Sequence, residues 1–413
     1  MMCCSNYFVR ALTPTLLAFL LMACGGGASS PGPTPVPPPS APALANVVDV
    51  SVDTGPPGSG YNVNRLYVDV TVCRPGGGDC QTIDHVLLDT GSIGLRLLSS
   101  ALKPSLALDR IKGSSGLPLL NCAQFVDNTA AWGPLASADV ALGGKAATSV
   151  AVQLIADPGF GTPPSGCVFG GTAMSTVADL GANGILGMGL FKEDCGPSCV
   201  ATTHNGVYYT CTTAACNSTV GIKVSLAQQL KNLVALFASD NNGVLIELPA
   251  VGSSVMNRLT GALILGVGTQ ANNQPGAIST LTTDATGYFT TVLAGQSMRK
   301  SFIDSGSNGL FFDSTAIAAC NGDSAGFYCP TTRTTLAATL VGANRVSALV
   351  SFSVDNATAM FNDSSKAVLP LLAGPMNDVT SFDWGLPFFY GRRVFLGIEG
   401  QASSLGAGPY YAF

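Results

Sequence analysis

Short stretches of alternating apolar and polar residues dominate the chain after residue 45. Val48, Val50 and Val52 fall on one side of an extended segment at residues 46–53, and residues 67–72 repeat the alternation. A period of two is typical of half-buried β-strands. Further segments with strand character lie at residues 140–144, 150–155, 245–248, 263–267, 394–398 and 410–413.

One segment has helical periodicity instead. Its apolar residues are spaced by four, three and four positions, at Leu226, Leu230, Leu233 and Phe237, which predicts one helix. The 49 Gly and 25 Pro add many turn signals. Together these patterns predict a mostly β fold.

Composition narrows the class of protein. Of 413 residues, 47% are apolar and 10% are charged, which supplies enough apolar material for a core. The formal charge is −5 without a basic block, so we expect no nucleic-acid partner. Only two histidines are present, and we expect neither a metal nor another cofactor.

The N-terminus has the pattern of an export signal. Arg10 precedes a short apolar run at residues 16–22, and the run ends in Leu-Met-Ala-Cys at Cys24. This ending resembles the lipobox of bacterial lipoproteins, so we predict a signal peptide at residues 1–23, lipidation of Cys24 and a Pro/Gly/Ser-rich spacer at 24–45. The alternative is an ordinary signal peptide with a chance cysteine. Lipidation predicts a bacterial cell-envelope protein, on the outer membrane or the periplasmic face, that meets the membrane through its anchor alone.

The cysteines fit an exported protein. Ten of the thirteen follow residue 24, and an even number outside the cytoplasm predicts disulfides. Local bridges are expected for Cys73/Cys80 and Cys320/Cys329. Cys195, Cys199, Cys211 and Cys216 pair locally or nested, and Cys122/Cys167 remain. Zinc is the alternative, but no CxxC spacing supports it.

A motif occurs twice, about half the chain apart. Residues 86–97 read VLLDTGSIGLRL and residues 301–312 read SFIDSGSNGLFF, with Asp89 and Asp304 separated by 304 − 89 = 215 positions. An apolar stretch with a glycine follows each copy, at residues 183–190 and 384–389. Asp53 begins a third Asp-Thr-Gly, but two prolines follow it, so we interpret that copy as a turn. The alternative for the two full copies is a coincidence of Asp turns.

At these residues the chain resembles the pepsin-like aspartic peptidases, and it is also similar to a family of bacterial lipoproteins whose function is uncharacterised. The resemblance implies a bilobal fold of two pseudo-symmetric β lobes, residues 46–215 and 216–413, with a central cleft and Asp89 and Asp304 as the catalytic pair. It further implies that Thr90 and Ser305 cross-brace the two loops.

The motif suits water activation. Two carboxyl groups in contact share one proton, so one member can accept a proton from water while the other donates to a carbonyl oxygen. Gly91 and Gly306 permit tight loops and offer backbone N–H groups, and the hydroxyls of Ser92 and Ser307 can donate to the carboxylates.

The pepsin-like family covers its site with a hairpin that carries a Tyr. The matching segment runs from Cys122 to Pro134, but no Tyr occurs between residues 68 and 207. Phe125 and Trp132 are the aromatic candidates for the position of that Tyr, and core packing is the alternative for Trp132.

We therefore predict a monomeric cell-envelope aspartic endopeptidase that acts on peptide or protein substrates. The alternative is a catalytically weak or inactive binding or inhibitor-like lipoprotein of the same fold, which the missing Tyr favours. An adhesion or glycan-binding lipoprotein is a third hypothesis, without specific support in the sequence.

Overall fold

A computed structural model describes residues 45–168, 171–376 and 378–413. The predicted signal peptide, the lipidated Cys24 and nearly all of the spacer lie outside these residues. The described chain is mostly β, as the alternating patterns predicted.

The described residues contain twenty-five strands, β1 to β25 in chain order. The first twelve are Val47–Val52, Leu66–Cys73, Cys80–Asp89, Ile93–Leu98, Leu119–Gln124, Thr129–Leu142, Lys145–Ile155, Thr172–Met174, Gly184–Met188, Tyr208–Cys211, Thr219–Gly221 and Gly243–Glu247. The others are Leu259–Leu265, Thr280–Thr282, Phe289–Leu293, Gln296–Ile303, Leu310–Phe312, Thr334–Val341, Ser347–Val354, Ala373–Gly374, Ser381–Trp384, Arg393–Gly397, Ala402–Ser403, Gly406–Ala407 and Tyr410–Ala412.

Helices are short. The four α-helices of the described segments, α1 to α4, are Ser165–Val168, Val177–Leu180, Pro197–Ala201 and Ala357–Met360. Single 3₁₀ turns occur at Ser99–Ala101, Pro104–Leu106, Pro158–Phe160, Leu226–Gln228, Val234–Leu236, Ala271–Asn273, Gly322–Ser324 and Leu386–Phe388. In the described part of the chain, none of the helices is long and apolar enough to cross a bilayer.

The helix predicted from the spacing of Leu226, Leu230, Leu233 and Phe237 is wrong. Two separate 3₁₀ turns occupy its ends, and residues 229–231 between them are extended. That segment pairs with residues 192–194: the Leu230 carbonyl accepts a hydrogen bond from the backbone N–H of Asp194 at 3.0 Å. Leu230 is nevertheless fully buried. Its apolar side chain is therefore in the core, as predicted, although the backbone is paired with residues 192–194 and is not helical.

Six strands from the first half of the chain close into a ring. The order is β2-β3-β9-β4-β7-β6, and β6 pairs with β2 to complete the circuit. Val68, Val70 and Val72 of β2 are buried, as their alternation predicted, and they join the main apolar core. The ring thus forms a barrel-like unit that carries the first Asp motif at the end of β3.

The second half forms a seven-stranded sheet in the order β19-β18-β15-β16-β21-β17-β20. It repeats one arrangement of the ring. In the ring, β9 lies between β3, to which it is parallel, and β4, to which it is antiparallel. In the second sheet, β21 lies between β16, again parallel, and β17, again antiparallel. The duplicated motif of the sequence therefore corresponds to a duplicated three-strand unit.

Strands from both halves pair in the run β1-β13-β12-β22-β25-β14, which continues from the ring through β1 and β2. The described residues accordingly form one compact unit. The boundary predicted between residues 215 and 216 falls inside the hairpin of β10 and β11, which the Cys211–Cys216 disulfide closes.

All ten cysteines of the described chain are paired. The disulfides are Cys73–Cys80, Cys122–Cys167, Cys195–Cys199, Cys211–Cys216 and Cys320–Cys329. Local pairing is thus the outcome for the four cysteines between residues 195 and 216. The five disulfides indicate a protein that functions outside the reducing cytoplasm.

We expect removal of Cys122–Cys167 to destabilise the fold more than removal of Cys73–Cys80. The two bridges span 45 and 7 residues, so chain entropy predicts losses of about 4 and about 2.4 kcal/mol in the free energy of unfolding. Urea unfolding of the two Cys→Ala double variants measures the difference, and equal losses would contradict the prediction.

Candidate active site

Two acidic side chains meet where the equivalent strands end. Asp89 is the last residue of β3 and Asp304 directly follows β16. Both side chains are buried, at 5% and 8% exposure, and the two carboxyl groups lie within hydrogen-bonding contact. The backbone N–H of Gly91 donates to Oδ1 of Asp89 at 2.8 Å and to Oδ1 of Asp304 at 3.1 Å. One donor therefore spans both carboxylates.

The two loops hold their carboxylates in the same way. The Ser92 hydroxyl donates to Oδ2 of Asp89, next to the Gly91 bond on Oδ1. The backbone N–H of Gly306 donates to Oδ1 of Asp304 at 2.8 Å, and the Ser307 hydroxyl donates to its Oδ2 at 2.9 Å. Each carboxylate thus receives one backbone and one hydroxyl hydrogen bond from its own loop, which fixes its orientation.

Close approach of the loops requires glycine at two positions. A β-carbon on Gly91 would lie 2.7 Å from Oδ2 of Asp304, and one on Gly306 would lie 2.6 Å from Oδ1 of Asp89. Both distances are well inside van der Waals contact. Any larger residue at either position would push the two carboxyl groups apart.

A reciprocal brace joins the loops beneath the carboxylates. The Thr90 hydroxyl donates to the Ile303 carbonyl at 3.1 Å and accepts from the backbone N–H of Ser305 at 2.9 Å. The Ser305 hydroxyl donates to the Leu88 carbonyl at 2.7 Å and accepts from the backbone N–H of Thr90 at 3.2 Å. The structure therefore brings together all eight loop residues predicted from the sequence.

The environment favours a shared proton. Burial raises the pKa of Asp304 well above its usual range, and the nearby charge of Asp89 and a hydrogen bond to it act in the same direction. A buried carboxyl beside a second carboxyl favours its neutral form, because two negative charges in contact are costly at low dielectric. We therefore expect the pair to hold one proton between its two carboxyl groups.

A third carboxyl, which the sequence reasoning missed, lies beside this pair. Asp383 in β21 is 1% exposed, and its Oδ1 has no hydrogen-bond partner among the described residues. Burial raises its pKa to about 8, contact with the Ser307 hydroxyl opposes this shift, and the charge of Asp89 adds to it. The available signal was a carboxylate inside the apolar stretch that precedes Gly385.

The three carboxyl groups line one cleft of about 440 Å³. Beyond them, its wall includes residues from the second half of the chain and the tip of the β5–β6 hairpin, where residues 125–128 form the turn. First-half residues outside the hairpin, among them Arg65, Met174 and Leu180, complete the lining. Within the described chain, no three His, Cys, Asp or Glu side chains form a set that could hold a metal.

The two aromatic candidates of the hairpin have different positions. Phe125 is half-buried at the tip and lines the cleft. Trp132 does not line it: its side chain is 4% exposed, its indole N–H donates to the Phe160 carbonyl at 3.1 Å, and its ring packs edge-on against Tyr209. Of the two alternatives that the sequence left open for Trp132, the structure therefore supports core packing, with the side chain in the core behind the hairpin.

We expect Thr90→Val to lower the free energy of unfolding by about 2–4 kcal/mol. The change removes a hydroxyl and leaves the Ile303 carbonyl and the Ser305 N–H buried without that partner. Thr90→Ser retains the hydroxyl and is the matched control, with an expected loss below about 1 kcal/mol. Urea unfolding compares the two variants, and equal losses would mean that the hydroxyl does not join the loops.

We expect the raised pKa of Asp383 to make the fold less stable as pH increases. Between the usual aspartate pKa near 4 and about 8, the folded protein keeps a proton that the unfolded chain releases. The free energy of unfolding should therefore decrease from about pH 5 to 7, by up to about 1.4 kcal/mol per pH unit from this group.

Asp383→Asn should flatten this decrease, whereas Asp69→Asn, which changes an exposed residue of β2, should not. Urea unfolding across the pH range measures both slopes. An unchanged slope in Asp383→Asn would show that Asp383 releases its proton equally easily in the folded and unfolded states.

Comparison with known proteins gives one family. A search of curated proteins finds no match to the chain. A family model described as "Protein of unknown function (DUF3443)" matches residues 42–413, which include both Asp loops, the cleft and every strand. The chain therefore belongs to the DUF3443 family.

Proposed function

We propose that the protein is an aspartic endopeptidase of the cell envelope, which hydrolyses peptide bonds with a water molecule activated by Asp89 and Asp304. The observation that carries the proposal is the contact between these two buried carboxyl groups, with the Gly91 N–H donating to both. A structural role alone does not account for two carboxyl groups in contact at the floor of an open cleft, since such a pair is costly to bury.

The proposed reaction divides the work between the two residues. The ionised carboxylate of the pair accepts a proton from water as the oxygen attacks the peptide carbonyl. The protonated carboxyl of the pair donates to the carbonyl oxygen, so a neutral tetrahedral intermediate forms. The hydroxyls of Ser92 and Ser307 hold the outer carboxylate oxygens. The inner oxygens therefore face each other and the water.

The proposed substrate is an extended chain. The cleft is lined by the tip of the β5–β6 hairpin together with residues of β16 and β17 and the loop between these strands. A strand-like peptide between such walls can satisfy its backbone groups against them. We propose the pepsin-like, two-lobed arrangement for the same reasons: the three-strand unit occurs twice, and each copy delivers one aspartate.

The lipid anchor at Cys24 is part of this proposal. The five disulfides support an oxidising compartment, and the lipobox-like sequence supports attachment to a membrane. A tethered endopeptidase would act on chains exposed in the envelope.

One observation favours the second candidate, a binding protein with little or no turnover. The hairpin tip that lines the cleft carries Phe125 and no tyrosine, so it lacks an aromatic hydroxyl to orient the water. Hydrolysis assays on variants of Asp89 and Asp304 distinguish the two candidates, because hydrolysis requires both carboxyl groups and binding alone does not.

We expect Asp89→Asn and Asp304→Asn each to reduce hydrolysis of an unfolded protein by at least about 10³-fold at mildly acidic pH, because either change removes the shared proton. A statine-type peptide should block the unmodified chain. Asp53→Asn is the matched control: it changes the same Asp-Thr-Gly triplet in the turn after β1, whose carboxylate accepts from the Gly55 N–H. Full activity in both loop variants would exclude the proposed chemistry.

A further inference from the structure

The third carboxyl faces the cleft between two aromatic rings. In the second sheet, Asp383 of β21 is directly opposite Phe302 of β16 on one side and Phe311 of β17 on the other. Directly opposed residues of neighbouring strands share a face of the sheet, and all three residues line the cleft. The rings are half-buried and the carboxyl lies between them at the floor.

The neighbours of Asp383 along β21 point the other way. Phe382 and Trp384 are fully buried and stack on each other, with ring centroids 4.1 Å apart. The indole N–H of Trp384 donates to the Thr291 hydroxyl at 3.0 Å. This packing fixes β21, so the Asp383 side chain stays on the face of the sheet that lines the cleft.

One oxygen of the Asp383 carboxyl has no structural role in the described fold. Oδ1 of Asp383 is buried without a hydrogen-bond partner among the described residues. An unpartnered carboxyl oxygen is costly to bury, and an apolar residue would fill the same position between two phenylalanines at no such cost. A ligand that enters the cleft and donates to Oδ1 would remove the penalty.

The charge of the cleft indicates what kind of hydrogen-bond donor would reach Oδ1 of Asp383. Its described lining contains five acidic side chains and one basic side chain, which are Asp89, Asp127, Asp179, Asp304, Asp383 and Arg65. Even with one proton on the Asp89 and Asp304 pair and another on Asp383, the remaining acidic groups outnumber the single Arg65, and this net negative charge favours a cation over a neutral donor. The aromatic walls suit the long aliphatic part of a basic side chain, and a cation over a ring face gains further attraction.

We propose that Asp383 is a specificity-determining residue, which receives the ammonium or guanidinium group of a substrate Lys or Arg next to the cleaved bond. The inference rests on the proposed peptidase function and deepens it. The methylene groups of the side chain would pack between Phe302 and Phe311, and the charged head would donate to Oδ1 of Asp383.

Protonation of Asp383 does not prevent this pairing. Burial favours the neutral form of the carboxyl, and the titratable groups that face it are Asp304 after β16, Asp89 at the end of β3 and Tyr411 in β25. A cation at Oδ1 favours the ionised form of Asp383. Binding of a basic side chain therefore displaces the Asp383 proton to solvent and leaves an ion pair in a buried setting.

The test uses the full-length chain and matched peptides. One peptide carries Lys next to the cleaved bond, a second carries norleucine, which keeps the aliphatic stem without the charge, and a third carries Glu. Each substitution is made on either side of the bond, and mass spectrometry identifies the products. We expect kcat/KM for the Lys peptide to exceed that of the norleucine peptide by about 10-fold or more on one side of the bond, with the Glu peptide lowest.

Asp383→Asn should bring the Lys-to-norleucine ratio close to one, mainly by lowering kcat/KM for the Lys peptide. Asp127→Asn is the matched control. It removes another acidic side chain from the same cleft, at the hairpin tip, and should change the ratio by less than about twofold if the preference comes from Asp383 and not from general charge.

The outcomes are distinguishable. If the unmodified chain cleaves no peptide at all, the proposed function fails. If it cleaves the norleucine peptide as fast as the Lys peptide, only the specificity inference fails, and this result needs no variant to fold. If Asp383→Asn slows every peptide equally, Asp383 acts on the catalytic pair through Ser307 and the specificity assignment is overturned.

Discussion

Two carboxyl groups in contact away from water repel each other unless they share a proton, and the centre of this molecule is arranged to keep that contact. Glycines at 91 and 306 leave the required space, and the Gly91 N–H neutralises part of the charge of both groups. The reciprocal bonds of Thr90 and Ser305 prevent the two loops from separating. The duplicated strands on either side carry these loops to one point.

The sequence was sufficient to find this centre because its signal is local. Asp89 and Asp304 each follow an apolar strand and precede a glycine and a hydroxyl residue, so each loop is recognisable without knowledge of the partner. The strands were also predictable, since alternation of the kind seen at Val68, Val70 and Val72 depends only on which face is buried.

Features set by distant contacts could not be predicted in this way. The apolar spacing around Leu230 has helical period, yet pairing with residues 192–194 makes the segment extended. The sequence left Trp132 open between the cleft and the core, because its contacts with the Phe160 carbonyl and Tyr209 join segments that are distant in the sequence. Asp383 was overlooked because its position between Phe302 and Phe311 exists only after β16, β21 and β17 have paired.

Contacts with α1 and β8 restrain the β5–β6 hairpin that lines the cleft. The Cys122–Cys167 disulfide ties β5 to α1, the Gln124 amide donates to the Cys167 carbonyl at 2.7 Å, and β8 pairs with Thr129–Ala131 at the start of β6. These contacts leave the hairpin little freedom to move outward. In the proposed peptidase, a hairpin held in this way would favour a single extended polypeptide over a folded domain. Unfolded chains would then be cleaved in preference to intact proteins.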